Sequence, residues 1–248
     1  MKKEHISVQL YSFRDFLKTR EQLTDTLKKL HSAGYRTVQL TTALPPDLTL
    51  EDLLKILSDT GMTAISSHEN SGLIFEKPEK IISKLKKLNI SHTAYPWPHI
   101  VPSSREDAVK FAENLNALAR MFKDNQITLS YHNHSSEFVK LDEKILLDII
   151  YEHAPYLDAE LDTFWVHKGG GNVADYLRRL AGRTEYLHIK DYGIVRTSDG
   201  KDVPCMMPVG SGNLNWHEII PTAEASGAKY FIFFAKGNII FIFAKDLS

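Results

Sequence analysis

Three short segments decide the fold expected of this chain: Tyr131-His-Asn-His-Ser-Ser-Glu-Phe138, Glu160-Leu-Asp-Thr-Phe-Trp165 and Tyr186-Leu-His-Ile-Lys-Asp191. Each begins as a strand-like apolar run and ends in side chains that can bind a metal or move a proton. Helix-sized intervals separate the three segments, which is typical of neighbouring parallel strands. Because the carboxyl ends of parallel strands meet at one edge of the sheet, the polar side chains are predicted to form an active site there.

Strand and helix patterns alternate along most of the chain. Thr19 and Thr49 are predicted to cap two helices, whose apolar stripes end at Gly34 and Gly61. The predicted strands are 6–13, 37–41, 63–68, 93–95, 230–234 and the three segments above. Eight strands alternating with seven helices predict a parallel α/β sheet, and the number eight favours a closed (β/α)8 TIM barrel. The stretch from Gly193 to Gly212 is predicted to be a long loop.

Length and composition limit the class of protein. The 248 residues contain 43% hydrophobic residues and are expected to form a single domain, 1–248. The 30 basic and 31 acidic residues nearly cancel, which argues against nucleic acid and membrane surfaces as partners. A lone cysteine, Cys205, and the charged start at Met1 predict a cytoplasmic protein without a signal peptide. The chain could also assemble with copies of itself.

The C-terminal segment departs from the strand–helix pattern. Phe231-Ile-Phe-Phe-Ala-Lys236 is echoed by Phe241-Ile-Phe-Ala-Lys245, and no amphipathic helix follows the eighth strand. Residues 231–248 are therefore interpreted as an atypical tail, and the last helix of the barrel is expected to be missing.

Glu137, Asp162 and His188 are the predicted metal ligands, because they come from three successive strands and would converge on one point. Taken singly, each has an ordinary alternative: a solvated loop carboxylate, a helix cap and a core histidine, respectively. Together, their oxygen and nitrogen donors suit one divalent ion, Mn²⁺, Mg²⁺, Co²⁺ or Zn²⁺, rather than a metal that prefers thiolates.

Further side chains near these strand ends are candidates for catalysis. His132 and His134 lie two residues apart and share one face of the strand, so they could complete the metal shell or act as acid, base or hydrogen-bond donor. Lys190 shares a face with His188 and could hold a substrate oxygen, while Glu137 is a candidate acid/base. Substrate contacts are expected from Tyr11, His68 and Trp165. For Tyr11 and His68 a structural role is an open alternative.

The ordered set of motifs resembles the sugar phosphate isomerase/epimerase family, the xylose isomerase-like barrels. The resemblance runs from Val8-Gln-Leu-Tyr-Ser12 through the three segments and the glycine triplet 169–171 to Val209-Gly-Ser-Gly-Asn-Leu-Asn-Trp216. It implies an eight-stranded barrel with one divalent metal held by two glutamates, an aspartate and a histidine. Asp162 and His188 match the aspartate and histidine motifs, and Glu137 is the candidate for the strand-five acid.

The chain differs from this family at the end of strand eight. Family members carry a glutamate in a stretch similar to Phe-Ile-Val-Glu-Gln-Asp, and Phe234 stands in its place here. We hypothesise that a frameshift or similar lesion replaced the natural C-terminus. Other reading frames of the encoding DNA would test this by restoring, or failing to restore, the family motif and a helix after it.

The function implied by the resemblance is metal-dependent sugar or sugar phosphate isomerisation or epimerisation. A proton would be removed next to a carbonyl, giving an enediolate. One alternative is a catalytically impaired or vestigial sugar-binding barrel, since Phe234 replaces a metal-binding glutamate. A second is a keto-sugar lyase or dehydratase that uses His132 or His134. A metal-dependent endonuclease is disfavoured by the net charge of −1. The expected partner is a small-molecule sugar or sugar derivative.

Overall fold

The computed structural model describes residues 3–234, in which eight parallel strands form a nearly closed barrel surrounded by helices. The strands are β1 (Ile6–Gln9), β2 (Thr37–Leu40), β3 (Thr63–His68), β4 (His92–Tyr95), β5 (Thr128–His132), β6 (Asp158–Glu160), β7 (Tyr186–Ile189) and β8 (Tyr230–Phe233). Their order in the sheet is β6-β5-β4-β3-β2-β1-β8-β7. The predicted (β/α)8 barrel is therefore confirmed. The expected absence of a final helix concerns residues 235–248, which lie outside the described residues.

Nine α-helices connect these strands in the described part of the chain. They are α1 (Arg20–Ser32), α2 (Leu50–Thr60), α3 (Ser71–Glu76), α4 (Pro78–Lys87), α5 (Arg105–Asp124), α6 (Leu146–His153), α7 (Thr163–Lys168), α8 (Val173–Arg179) and α9 (Trp216–Ala225). Within residues 3–234, no helix has both the length and the apolar character needed to cross a membrane.

The predicted caps explain where the first helices begin. Thr49 accepts a hydrogen bond from the Asp52 amide, and the Asp52 carboxylate accepts one from the Thr49 amide, so the capping box of α2 is complete. Thr19 caps α1 through the Gln22 amide, while the Gln22 side chain accepts from Lys18 instead. Such a cap stabilises a helix by about 1 kcal/mol.

The barrel wall has an apolar outer face and a polar inner face. Leucines of α1 pack fully buried against the outer face, each contributing about 1.5–3 kcal/mol through burial: Leu23, Leu27 and Leu30. The inner face carries alternate polar residues of the strands: Ser7, Gln9, Gln39, Ser66, His68, Ser130, His132, Glu160 and His188. This alternation places hydrogen-bonding groups inside the barrel, where they can form a site.

The barrel closes between β6 and β7 through a short seam. An isolated parallel bridge pairs Asp162 with His188, and the His188 amide donates to the Leu161 carbonyl at 2.8 Å. The Ala159 amide donates to the Arg183 carbonyl at 2.7 Å at the opposite end of the seam. Backbone pairing thus holds two predicted site residues side by side.

Several predicted boundaries differ from the structure. Of the segments quoted first, β5 ends at His132 and β6 ends at Glu160, so residues 133–138 and 161–165 follow these strands instead of belonging to them. The expected loop 193–212 contains an antiparallel hairpin, Asp191–Arg196 with Asp202–Met207. The helix expected after β3 is two helices, because Asn70 caps α3 and Pro78 begins α4. Strand β1 ends at Gln9, and a 3₁₀ helix, Leu10–Phe16, follows it.

Candidate active site

A cavity of about 380 Å³ opens at the carboxyl ends of the barrel strands. Its aromatic wall is formed by Tyr11, Trp97, Trp165 and Phe234. Its polar wall includes Gln9, Thr41, Thr42, His68, His132, His134 and Lys190. The structure therefore brings together most of the side chains that the sequence placed at the strand ends.

Four buried side chains form a cluster at the base of this cavity: His68, His132, Glu160 and His188. One ligand atom from each lies within 4.8 Å of the others, and they come from β3, β5, β6 and β7. Three imidazoles and a carboxylate at this separation could hold a metal ion.

Glu160 is the hydrogen-bonding centre of the cluster. Its Oε1 accepts from Gln39 Nε2 at 2.6 Å, and its Oε2 lies 2.5 Å from His68 Nε2 and 3.2 Å from His188 Nε2. Burial would raise the pKa of this carboxyl, but the neighbouring His68 and His188 hold the pKa well below its ordinary value. Glu160 is therefore ionised inside the barrel and orients the imidazoles around it.

Asp162 lies above the cluster and serves two roles at once. Its Oδ1 accepts from the Trp165 amide at 3.1 Å and caps α7, which is the ordinary alternative considered from the sequence. Its Oδ2 lies 3.8 Å from His132 Nε2 and 3.9 Å from His188 Nδ1. The helix cap thus fixes the carboxylate so that its second oxygen faces two imidazoles.

Lys190 lies beside this second oxygen. Its Nζ is 2.6 Å from Asp162 Oδ2, without a directed hydrogen bond, and 4.5 Å from the centre of the Phe234 ring. Thr163 Oγ1 fixes the backbone by donating to the Lys190 carbonyl and accepting from its amide. The ammonium is therefore held at the cavity wall, close to the predicted metal ligands.

Three buried ring nitrogens of the site have no hydrogen-bond partner: His132 Nδ1, His134 Nδ1 and His188 Nδ1. An unpaired buried polar group costs about 1–3 kcal/mol, so such a group is expected to meet a ligand or an ion. His188 Nε2 is 2.9 Å from Gln39 Oε1, which leaves Nδ1 on the Asp162 side. An imidazole nitrogen and a carboxylate oxygen that face each other, as His188 Nδ1 and Asp162 Oδ2 do, fit a divalent cation.

His134 lies nearer the opening, between two tryptophans. Its ring centre is 4.6 Å from that of Trp97 and 5.2 Å from that of Trp165. Burial, assisted by the charge of Lys190, lowers the pKa of His134 to about 3. Burial and the neighbouring His188 also hold the pKa of His132 well below its usual range. Both imidazoles are thus neutral near pH 7, and each keeps one ring nitrogen with a free lone pair.

Glu137 takes a position different from the expected one among the metal ligands. Its Oε1 accepts from the Tyr131 hydroxyl at 2.9 Å, and its Oε2 accepts from the His134 amide at 2.8 Å and the Ser136 hydroxyl at 3.0 Å. These three hydrogen bonds satisfy the buried Glu137 carboxylate, which is not part of the cluster of His68, His132, Glu160 and His188. Its contacts are those of a residue that shapes the turn carrying His134.

Two residues that organise the buried cluster were not singled out from the sequence. Glu160 precedes Asp162 by two positions, and Gln39 lies in the middle of β2. The same rule that paired His132 with His134 applies to Glu160 and Asp162, because residues two apart in a strand share a face. That rule would have found Glu160. Gln39 has no comparable local signal.

The other predicted contacts lie at the cavity. Tyr11, His68 and Trp165 line it, and His68 also belongs to the buried cluster. Phe234, which stands where the family resemblance places a glutamate, lines the cavity beside Lys190. In this chain that position contributes an aromatic ring and no ligand oxygen.

The sequence matches the family model described as xylose isomerase-like TIM barrel over residues 27–234. A stretch of 90 residues is 29% identical to an inosose dehydratase of Clostridium perfringens, covering 36% of this chain. That stretch spans only 30% of the dehydratase, about a third of its length.

Solved structures share the fold at low sequence identity. A sugar phosphate isomerase/epimerase from Parabacteroides distasonis is 21% identical with a TM-score of 0.77, over 96% of this chain and 88% of that one. A xylose isomerase-like TIM barrel protein from Mycobacterium smegmatis in complex with magnesium is 15% identical with a TM-score of 0.71, over 99% and 96% of the two chains. These likenesses agree with the family match, which covers most of the sequence. The chain belongs to the xylose isomerase-like TIM barrel family.

Proposed function

We propose that the protein is a divalent-metal-dependent sugar isomerase that removes a proton from the carbon next to a carbonyl. One observation carries the proposal: Asp162, His132 and His188 direct donor atoms toward one another beside Lys190 at the base of an open cavity. The relatives include a sugar phosphate isomerase/epimerase and an inosose dehydratase, and reactions of both classes can begin with the loss of a proton next to a carbonyl.

His132, Asp162 and His188 would hold the metal, with Glu160 and Gln39 fixing the imidazoles from behind. The bound cation would supply Lewis-acid polarisation of the substrate oxygens, worth several kcal/mol in the transition state. His188 Nδ1, which has no hydrogen-bond partner and lies 3.9 Å from Asp162 Oδ2, supports this choice of ligands. The magnesium complex of a relative with the same fold is consistent with it.

His134 would act as the base. It lines the cavity, and its Nδ1 has no hydrogen-bond partner, so this ring nitrogen is free to face a substrate proton. Lys190 would donate a hydrogen bond to the carbonyl or hydroxyl oxygen that gains negative charge as the proton leaves. The protonated His134 would then return the proton to the neighbouring carbon, while Lys190 would give a proton to the former carbonyl oxygen and take one from the former hydroxyl oxygen, which completes an aldose–ketose isomerisation.

A dehydratase is the second candidate. The contacts of Glu137 and the lack of a carboxylate at Phe234 favour dehydration over epimerisation. Epimerisation exchanges a proton between two faces of one carbon, which calls for a base on each face. Glu137 is held by three donors, and Phe234 provides no carboxylate. A single imidazole base suffices for proton abstraction followed by loss of a hydroxyl group. The partial match to an inosose dehydratase points the same way.

Deuterium exchange tests the proposal. Protein loaded with Mn²⁺ is incubated in D₂O with free ketoses and an inosose, and the products are followed by NMR. An isomerase would yield an aldose labelled next to its carbonyl, while a dehydratase would yield an unsaturated ketone. We expect His134→Asn to slow exchange about a hundredfold, and the exposed control His217→Asn to leave it unchanged. Absence of deuterium from every sugar carbon would refute proton abstraction.

A further inference from the structure

Asp191 is a buried carboxylate that the proposed reaction does not use. It follows Lys190 directly and begins the hairpin that leaves β7. Its Oδ1 accepts hydrogen bonds from the amides of Tyr192 at 2.8 Å and Leu214 at 3.2 Å. Its Oδ2 accepts three more, at 2.9, 3.0 and 2.7 Å respectively, from the Gly210 amide, the Gly212 amide and the Trp216 indole Nε1.

Four of these five donors lie in residues 208–216, the return segment, which follows the hairpin and reaches the first residue of α9. Successive N–H groups that converge in this way form an anion-binding concavity. Asp191 therefore occupies the place that an external anion takes in such a loop. A Cβ atom at Gly212 would lie 2.5 Å from Asp191 Oδ1, so the close approach of the segment requires glycine.

The hairpin held by this carboxylate also supplies part of the cavity wall. Met206 lines the cavity and pairs with Tyr192 across the hairpin. Met207 pairs with Asp191 itself. The Asn213 amide donates to the Tyr192 carbonyl at 2.6 Å, which adds a second link between the return segment and the hairpin. The base of the hairpin is thus fixed by Asp191, and Met206 is fixed with it.

We propose that Asp191 is a positioning residue: it serves as a built-in anion that holds the hairpin and the return segment together, so that Met206 completes the wall around the substrate. The inference rests on the proposed function and adds to it a residue outside the described lining of the cavity.

The position of the proposed metal ligands does not depend on this anchor, because the seam between β6 and β7 holds Asp162 beside His188. An apolar wall contact from Met206 is the same before and during proton transfer. Its loss should therefore weaken substrate binding without slowing the chemical step.

Chemical rescue tests the inference. Asp191→Ala removes the carboxylate and leaves its N–H donors unpaired, and formate is a carboxylate small enough to take its place. For the Mn²⁺-loaded protein and a ketose that exchanges deuterium, we expect Asp191→Ala to raise KM about tenfold and to change kcat less than about threefold. Formate should reverse most of the rise in KM, whereas chloride at the same ionic strength should not.

Two further variants control this experiment. Asp202→Ala removes an exposed carboxylate of the same hairpin, which pairs with Arg196, and should leave KM unchanged with or without formate. Asp191→Asn fills the space with a neutral side chain, so it should raise KM and show no response to formate. This variant also tests the inference if Asp191→Ala does not fold. An unchanged KM in Asp191→Asn would overturn it.

A measurement that needs no activity separates the inference from the proposed function. In protein with ¹³C-labelled methionine methyl groups, the Met206 resonance, assigned with Met206→Leu, should shift in Asp191→Ala and return when formate is added. If the unaltered protein exchanges no deuterium into any sugar, the proposed function fails, while this reversible shift would still support the positioning role. A Met206 resonance that does not move, or a loss of kcat as large as the rise in KM, would overturn the inference.

Discussion

Buried histidines lie at both ends of the barrel strands, and the two ends differ in the side chains that face the imidazoles. At the amino ends of the strands, His92 stacks on Tyr186 with ring centres 3.6 Å apart, and its Nε2 lies 2.7 Å from Ser130 Oγ. At the carboxyl ends, His132 and His188 face Glu160 and Asp162. All three histidines are almost completely buried.

Burial therefore does not distinguish a structural histidine from a candidate ligand. Desolvation lowers the pKa of the imidazole at both ends of the barrel, to about 4 for His92 and below the usual range for His188. The Nδ1 atom lacks a hydrogen-bond partner in both His92 and His188, so the difference lies in the neighbours: a hydroxyl and an aromatic ring contact His92, whereas the carboxylates of Glu160 and Asp162 face His188. Only the second environment can neutralise the charge of a bound cation.

The largest expected effect comes from removing one of those carboxylates. In Asp162→Asn, the amide oxygen can still cap α7, so the fold should be retained. Loss of the charge should weaken Mn²⁺ binding and reduce the rate of proton exchange about a thousandfold, because several kcal/mol of Lewis-acid stabilisation are lost. Metal content after dialysis and NMR exchange rates measure the two effects.

A carboxylate outside the cavity provides the control for this variant. Asp148 pairs with Arg179 and accepts from the Tyr176 hydroxyl, so Asp148→Asn also removes a partly buried charge. It should leave metal content unchanged. If both variants lost the metal equally, the assignment of Asp162 as a metal ligand would be rejected.

The second effect concerns His92 and the acid sensitivity of the fold. Its pKa in the folded protein is about 4, while an unfolded chain binds that proton near pH 6.5. The free energy of unfolding should therefore fall as the pH drops from 6.5 to 4, by on the order of 3 kcal/mol from this residue alone. His92→Gln should flatten the pH dependence in urea unfolding experiments, whatever it does to stability at pH 7. The exposed His217→Gln should not.

The smallest effect is expected from Glu160→Gln, and it would sharpen the assignment of ligands. If Glu160 orients His68 and His188 from behind, its loss should lower metal affinity about 10- to 100-fold. Competition with a fluorescent chelator would measure that change. A loss as large as that of Asp162→Asn would instead make Glu160 a direct ligand and place the ion deeper in the barrel.

Much of the fold could be predicted from the sequence because its signals are local. Cap residues such as Thr49, apolar stripes such as that of α1, and helix-ending glycines such as Gly61 act within one helical turn. The hairpin Asp191–Arg196 with Asp202–Met207 was missed because its pairing joins two short segments across a turn within a stretch rich in glycine and proline. Loop signals and hairpin signals overlap in such stretches.

The site was predictable to the extent that strand ends and alternation reveal it. Asp162, His188 and Lys190 follow from the position of each motif at the end of a strand, and the structure places them together. The contacts of Glu137 depend on the turn that brings Tyr131 and Ser136 to it, and no spacing rule gives that turn. Gln39 contacts Glu160 across the barrel, 121 residues away in sequence.

The Asp162–His188 bridge makes assembly of the site the same event as closure of the barrel. Neither side chain can reach the other until β6 and β7, the two ends of the sheet, have met. A fragment that lacks β7 would thus lose one of the two ligands entirely, and a partly folded chain would hold them apart. Hydrogen exchange of the His188 amide, which donates to Leu161, would report on this closure. Exchange there should slow when Mn²⁺ is added, because the bound ion would stabilise the contact between β6 and β7.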